Sequence, residues 1–157
     1  MKQVDVYIGT SIRGPGEGQG KTLYVMKTEL TNGKEHESKP AIMELMEGTQ
    51  HRLVLYAIRD ALQRLNFACK VVIHTESAYV ASVFDQGWLA KWSDHGWRTS
   101  KGEEVKDSVL WSQILQEIEE NGHDVTAVSG KHEFSEWMHW KIELAHGLTN
   151  GFSELKE

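Results

Sequence analysis

Apolar and polar residues alternate from the first residues of the chain. Val4, Val6 and Ile8 take one face of Lys2–Ile8, and Asp5 and Tyr7 take the other, the period of two that marks a strand. Gly14–Gly20 breaks the pattern with several glycines and Pro15, and reads as a loop. Lys21–Leu30 predicts a second strand around Leu23-Tyr24-Val25-Met26. Asn32-Gly33 then marks a hairpin of type I′, because that turn needs positive φ at both central residues. A third strand is expected over Glu35–Glu44, with Pro40 placing it at an edge or a bulge, since proline has no N–H for a ladder. The chain thus opens on an antiparallel meander of three strands.

The period then changes. Leu53, Tyr56, Ala57, Ala61, Leu62 and Leu65 recur at spacings of three and four, which predicts a helix of about four turns behind Thr49 as cap. Lys70–His74, with Val71-Val72-Ile73, reads as a short strand parallel to the first through a helical crossover. Ser77–Asp85 reads as a short helix. Residues 86–106 fit no period; Trp88, Trp92 and Trp97 lie there among Lys91, Asp94, His95, Arg98 and Lys101. Residues 108–120 predict a helix capped by Ser108, with Val109, Ile114, Leu115 and Ile118 as apolar contacts. Asp124–Ser129 gives a last strand. Ser135–Leu148 gives a last helix with Trp137, Trp140, Ile142, Leu144 and Ala145. The order predicts an α/β fold: a mixed five-stranded sheet, three antiparallel strands then two parallel, flanked by helices.

Composition narrows the function classes. A length of 157 residues suits one domain, expected over residues 1–150, with 151–157 as a C-terminal tail. Hydrophobic residues at 39% and charged residues at 25% exclude wholesale disorder. A net charge of -6 excludes a uniformly basic nucleic-acid coat but leaves room for a local basic patch. No stretch approaches the roughly 20 apolar residues of a membrane span, so no membrane partner is expected. The start runs straight into a strand pattern, which sets a cytoplasmic expectation. Cys69 is the only cysteine; it excludes an intrachain disulfide and a Cys-rich zinc site, and reads as a small buried hydrophobe. His74, His95, His132, His139 and His146 have no zinc spacing, and no phosphate-loop motif is present.

Several segments, in order, carry a likeness. Lys2–Ile8 is followed by Ser11 and Gly14-Pro15-Gly16. Thr49-Gln50-His51-Arg52 opens the long helix, and Thr75-Glu76-Ser77-Ala78-Tyr79-Val80 follows the parallel strand. Gly96-Trp97-Arg98-Thr99, Val105-Lys106 and Leu110-Trp111 complete the set. Together they resemble ribonuclease H of the HI type over most of the chain. The resemblance implies cleavage of the RNA strand of an RNA–DNA hybrid by two divalent metals. It also implies four acidic ligands and a basic handle that grips the hybrid.

Two metal ions about 4 Å apart need several converging carboxylates. The first implied slot, at the end of strand one, holds Gly9. The second, two positions beyond Arg52, holds Val54. The third holds Glu76. The fourth holds Ile142 or Lys141, depending on the alignment. Lys131 takes the slot of the family's mobile histidine, with His132 beside it. Glu76 reads either as a surviving ligand or as a polar residue accepting backbone N–H groups. Lys141 reads as a solvated residue or as a cation paired with Glu76. In the handle, Lys91, Arg98, Lys101 and Lys106 outnumber Asp94, Glu103 and Glu104 by one. Trp88, Trp92 and Trp97 either stack on bases or pack the handle to the body.

The expectation is a ribonuclease H-like protein with a degenerate, catalytically impaired site. It would bind RNA–DNA hybrid or other duplex nucleic acid weakly through Lys91, Trp92, Trp97, Arg98, Lys101 and Lys106. No cofactor is expected; Mg or Mn enters only if the site is active. Two alternatives stand beside it. One is a protein-interaction or structural module with a protein partner. The other is an active metal-dependent nuclease with a site rebuilt from Asp5, Glu17 or Glu143.

Overall fold

The computed structural model describes residues 1–143. β1 (Lys2–Thr10) pairs antiparallel with β2 (Gly18–Glu29), with Val6 opposite Met26 and Ile8 opposite Tyr24. Two strands, β3 (Glu35–Glu37) and β4 (Ala41–Gly48), lie along the other side of β2. The sheet therefore has six strands where five were expected, because the third strand is cut in two before Pro40. Proline cannot donate to the ladder. Just ahead of it Ser38 leaves the pairing with its N–H on the Met26 carbonyl at 2.8 Å and its Oγ on the Met26 N–H at 2.9 Å. The turn at Asn32-Gly33 also differs. Only Gly33 has positive φ, and Leu30 pairs with Lys34 across a three-residue loop, so the turn is not type I′.

The crossover is as expected. α1 (Gln50–Gln63) carries the chain from β4 to β5 (Cys69–Thr75), which runs parallel to β1. Thr49 caps α1, its hydroxyl accepting the Arg52 N–H at 3.1 Å. α2 (Ala78–Asp85) follows, capped by Ser77. The non-periodic stretch holds a short helix, α3 (Trp88–Asp94), and an irregular return to α4 (Ser108–Asn121). Asp107 precedes α4 with φ 59° and no side-chain cap bond, so Ser108 is the first helical residue and not its cap. Val109 points to solvent at 68% exposure, while Leu110 and Trp111 enter the core. The face is thus rotated from the one the spacing predicted. β6 (Asp124–Ser129) joins β5 in parallel, giving the order β3-β2-β1-β5-β6 with β4 also on β2. A last helix, α5, occupies 135–143. The expected continuation to Leu148, with Leu144, Ala145 and His146, and the 151–157 tail lie outside the described residues. No described helix is long and apolar enough to cross a membrane.

Alternation along β1 divides the core. Val4, Val6 and Ile8 face a large cluster with Val54, Ile58 and Leu62 of α1 and Trp111 and Ile114 of α4. Each such side chain contributes about 1.5–3 kcal/mol on burial. Tyr7 faces the other way, with Leu23 and Val25 of β2, and is covered by Met138 and Ile142 of α5. Phe134, Met138 and Ile142 recur every four residues, a stripe that lays α5 on this face. Gly9 is two residues beyond Tyr7 on the same face, opposite Leu23.

Candidate active site and nucleic-acid interface

Parallel strands in α/β sheets present their C-terminal ends to ligands. The β1–β5 register sets Tyr7 opposite His74, so two residues further on Gly9 and Glu76 leave neighbouring strands side by side. These are two of the four positions at which the family resemblance led us to expect acids. A side chain at Gly9 has no room. Its Cβ would stand 2.8 Å from Met138 Cβ and 3.0 Å from Met138 Sδ. Met138 is fully buried. Glycine at this position permits a close approach of helix to sheet.

The next residue on α5 takes up Glu76. His139 Nε2 lies 3.0 Å from Glu76 Oε2, with both side chains about 20% exposed. Arg13 Nη1 lies against the same imidazole, 3.1 Å from Nδ1 and 3.5 Å from Nε2. A carboxylate only accepts, so Nε2 carries the proton and donates it to Glu76. Glu76 thus takes an imidazole partner in place of Lys141 or backbone N–H groups. His132 anchors the approach to α5. Its Nε2 donates to the Ile8 carbonyl at 2.8 Å, and its Nδ1 accepts the Phe134 N–H at 3.2 Å. Burial holds its pKa below the ordinary value, and the bonding needs the neutral ring.

The other proposed acids are engaged elsewhere. Asp5 is bonded to His74 at 2.9 Å. Glu17 lies 3.6 Å from Arg52, which also holds Asp107 at 3.0 Å. Glu143 lines a cleft with Ser11, Ile12 and Ile142. Val54 is buried in the main core and Ile142 in the smaller one. Two divalent ions would need a set of converging oxygens, and this donor set does not fit them. Among the described residues no group of three or more His, Cys, Asp or Glu is placed to hold a metal ion. Sequence reasoning assigned no role here to Met138, His139 or Arg13. The four-residue stripe that brings α5 down was the available signal for the first two.

The handle is built differently. Trp97 adopts φ 62°, and its N–H donates to the Trp92 carbonyl at 2.7 Å while its carbonyl accepts from Val105. These bonds fold the segment back on α3. Trp92 and Trp97 pack against the main core, Trp92 edge-on to Trp111 at 5.9 Å. Both therefore hold the handle to the body. Trp88 remains 42% exposed with Lys91 Nζ 4.9 Å from its ring centroid. A cleft of about 500 Å³ is lined by Tyr79, Trp88, Lys91, Trp92, His95 and Arg98. Lys101 is exposed at the tip, and Lys106 lines a second cleft with Gly14, Gly16 and His51.

The chain matches the family model described as RNase H over residues 1–135. It is 33% identical over 119 residues to "Ribonuclease H" of Caldicellulosiruptor saccharolyticus, covering 74% of this chain and 75% of that one. It is 27% identical to "Ribonuclease H" of Clostridium botulinum, over 98% of this chain and 99% of the other. Among solved structures, LC9-RNase H1, described as a type 1 RNase H with the type 2 active-site motif, superposes with a TM-score of 0.71. The identity there is 20%, covering 93% of this chain and 72% of that one. The foamy viral protease-reverse transcriptase in complex with RNA/DNA hybrid superposes with a TM-score of 0.63 and 17% identity, covering 90% of this chain and 19% of that one. The fold and the site positions define an α/β protein of the ribonuclease H type. The chain belongs to the RNase H family.

Proposed function

We propose that this protein is a catalytically impaired ribonuclease H that binds RNA–DNA hybrid, or a related duplex, weakly through its handle. One observation carries the reading: Met138 fills the space beside Gly9, leaving Glu76 as the carboxylate of the site, itself bonded to His139. Two divalent ions bring four positive charges, and Glu76 returns one. A clamp on both the attacking and leaving oxygens needs more.

Binding asks for less. Exposed cations near a backbone release counterions whatever lies at the sheet edge. Lys91, Arg98, Lys101 and Lys106 supply such cations, and a foamy viral relative of this fold is described in complex with RNA/DNA hybrid. Trp92 and Trp97 shape the platform from below. The net charge of -6 keeps the affinity low.

The test incubates labelled hybrid with the protein in Mg²⁺ and in Mn²⁺, beside a Glu76→Gln control. The expected outcome is no cleavage with either ion, with salt-sensitive binding of the intact hybrid. Cleavage by the native protein that disappears in Glu76→Gln would show an active site and end this reading.

A further inference from the structure

We propose that Arg13, seated on the Glu76–His139 pair, receives a backbone phosphate of the bound duplex without any metal ion. This rests on the hybrid-binding reading above and adds a second contact region to the handle. Arg13 leaves β1 on the glycine-rich loop and reaches back to His139 at 3.1 Å. One Nη is used there. Among the described residues no carboxylate comes within 4.0 Å of its guanidinium, whereas Arg52 meets Asp107 and Glu17, and Arg64 meets Asp60. Arg13 is also exposed, so its remaining donors face solvent.

Position and charge agree. Glu76 has its Oε2 bound to His139 Nε2, the ring that Arg13 also touches. The carboxylate nevertheless stays more than 4.0 Å from the guanidinium, so among the described residues the outer edge of Arg13 carries no counter-ion. That edge has the planar fork that matches two phosphate oxygens. Lys106 of the handle lines a cleft with Gly14 and Gly16, one and three residues along from Arg13. A backbone crossing from the handle over the glycine loop thus meets a cation on each side of the loop. The fixed positive charge next to the Glu76–His139 pair serves to hold a phosphodiester and not to cut it.

The experiment titrates labelled hybrid with full-length protein in EDTA at several salt concentrations. Arg13→Gln should weaken binding about three- to tenfold and lower the salt slope by about one, the signature of a lost phosphate contact. Glu76→Gln keeps an oxygen for His139 but removes the negative charge, so it should tighten binding. Added Mg²⁺ should not strengthen the native complex. Native affinity and slope in Arg13→Gln, beside clear weakening in a Lys91, Arg98 and Lys101 triple alanine variant, would overturn the phosphate contact and leave the hybrid reading standing. Absence of hybrid binding by the native protein would overturn both. The His139 ring signals, followed by NMR, separate the sources of phosphate. A shift with hybrid supports the proposal; a shift with inorganic phosphate alone overturns it.

Discussion

At the end of β1 the sheet is packed shut, whereas the handle leaves its charges in water. The family resemblance expects acids in the first region and a basic grip in the second. At the end of β1, a helix residue, Met138, is seated against the Gly9 backbone. In the handle, Trp92 and Trp97 pack against the core, while Trp88 and the basic side chains stay outside. The difference is one of coupling. A buried carboxylate site and a buried methionine exclude each other, because interiors are filled to crystal-like density. Exposed cations share no volume with the core, so they change one at a time.

Restoring the first acid should break the comparison most severely. Gly9→Asp places both volume and charge against Met138, and should cost about 3 kcal/mol or more in urea unfolding. The intended rescue with Val54→Glu and Ile142→Asp adds two more buried charges, so the triple variant should fail to fold before it could cleave. Met138→Ala should cost about 2–5 kcal/mol by emptying a closed site. Combined with Gly9→Ala, it should cost somewhat less than the sum of the two single changes, because it removes the Sδ and Cγ contacts at 3.0 and 3.4 Å while the 2.8 Å Cβ contact remains. Additive costs would show that the helix and strand do not compete for this space.

The handle should respond in binding and not in stability. Replacing Lys91, Arg98 and Lys101 by alanine should lower hybrid affinity about tenfold or more and flatten the salt dependence, read by anisotropy. Its unfolding free energy should move by less than about 0.5 kcal/mol per site. A large loss of stability there would erase the contrast between the regions.

The smallest effect is in pH. His132 has its folded pKa below 6.5, so the unfolded chain binds the proton more readily. Its contribution is present above pH 6.5 and is lost as pH falls from there toward the folded value. Burial acts on His51 in the same direction. Urea midpoints should be lower at pH 5.5 than at pH 7.5, and a His132→Gln variant should show a shallower difference.

Much of the architecture was legible because it depends on local pattern. The alternation of Val4, Val6 and Ile8, the Thr49 cap and the spacing along α1 each report one neighbour or one face. The errors came where a side chain answers to distant partners. Pro40 was expected to mark an edge or a bulge; it does lie at the sheet's edge, but it divides the strand in two, since Ser38 takes up the Met26 backbone groups. Ser108 looked like a cap, but the backbone turns at Asp107, which holds Arg52 from α1.

The site divides in the same way. Sequence alone carried the expectation of which implied slots lack acids, because Gly9 and Val54, like the acidic Glu76, are read by counting from motifs. It also determined the basic side chains of the handle. Only the tertiary structure decided what stands in the acids' place. Met138 meets Gly9 and His139 meets Glu76 because α5 lies on the sheet at a height set by the Phe134, Met138 and Ile142 stripe. That height is a packing result, fixed by the volumes of Tyr7, Leu23 and Val25 beneath it, and residues 63 or more positions apart have no local signal of how closely they approach.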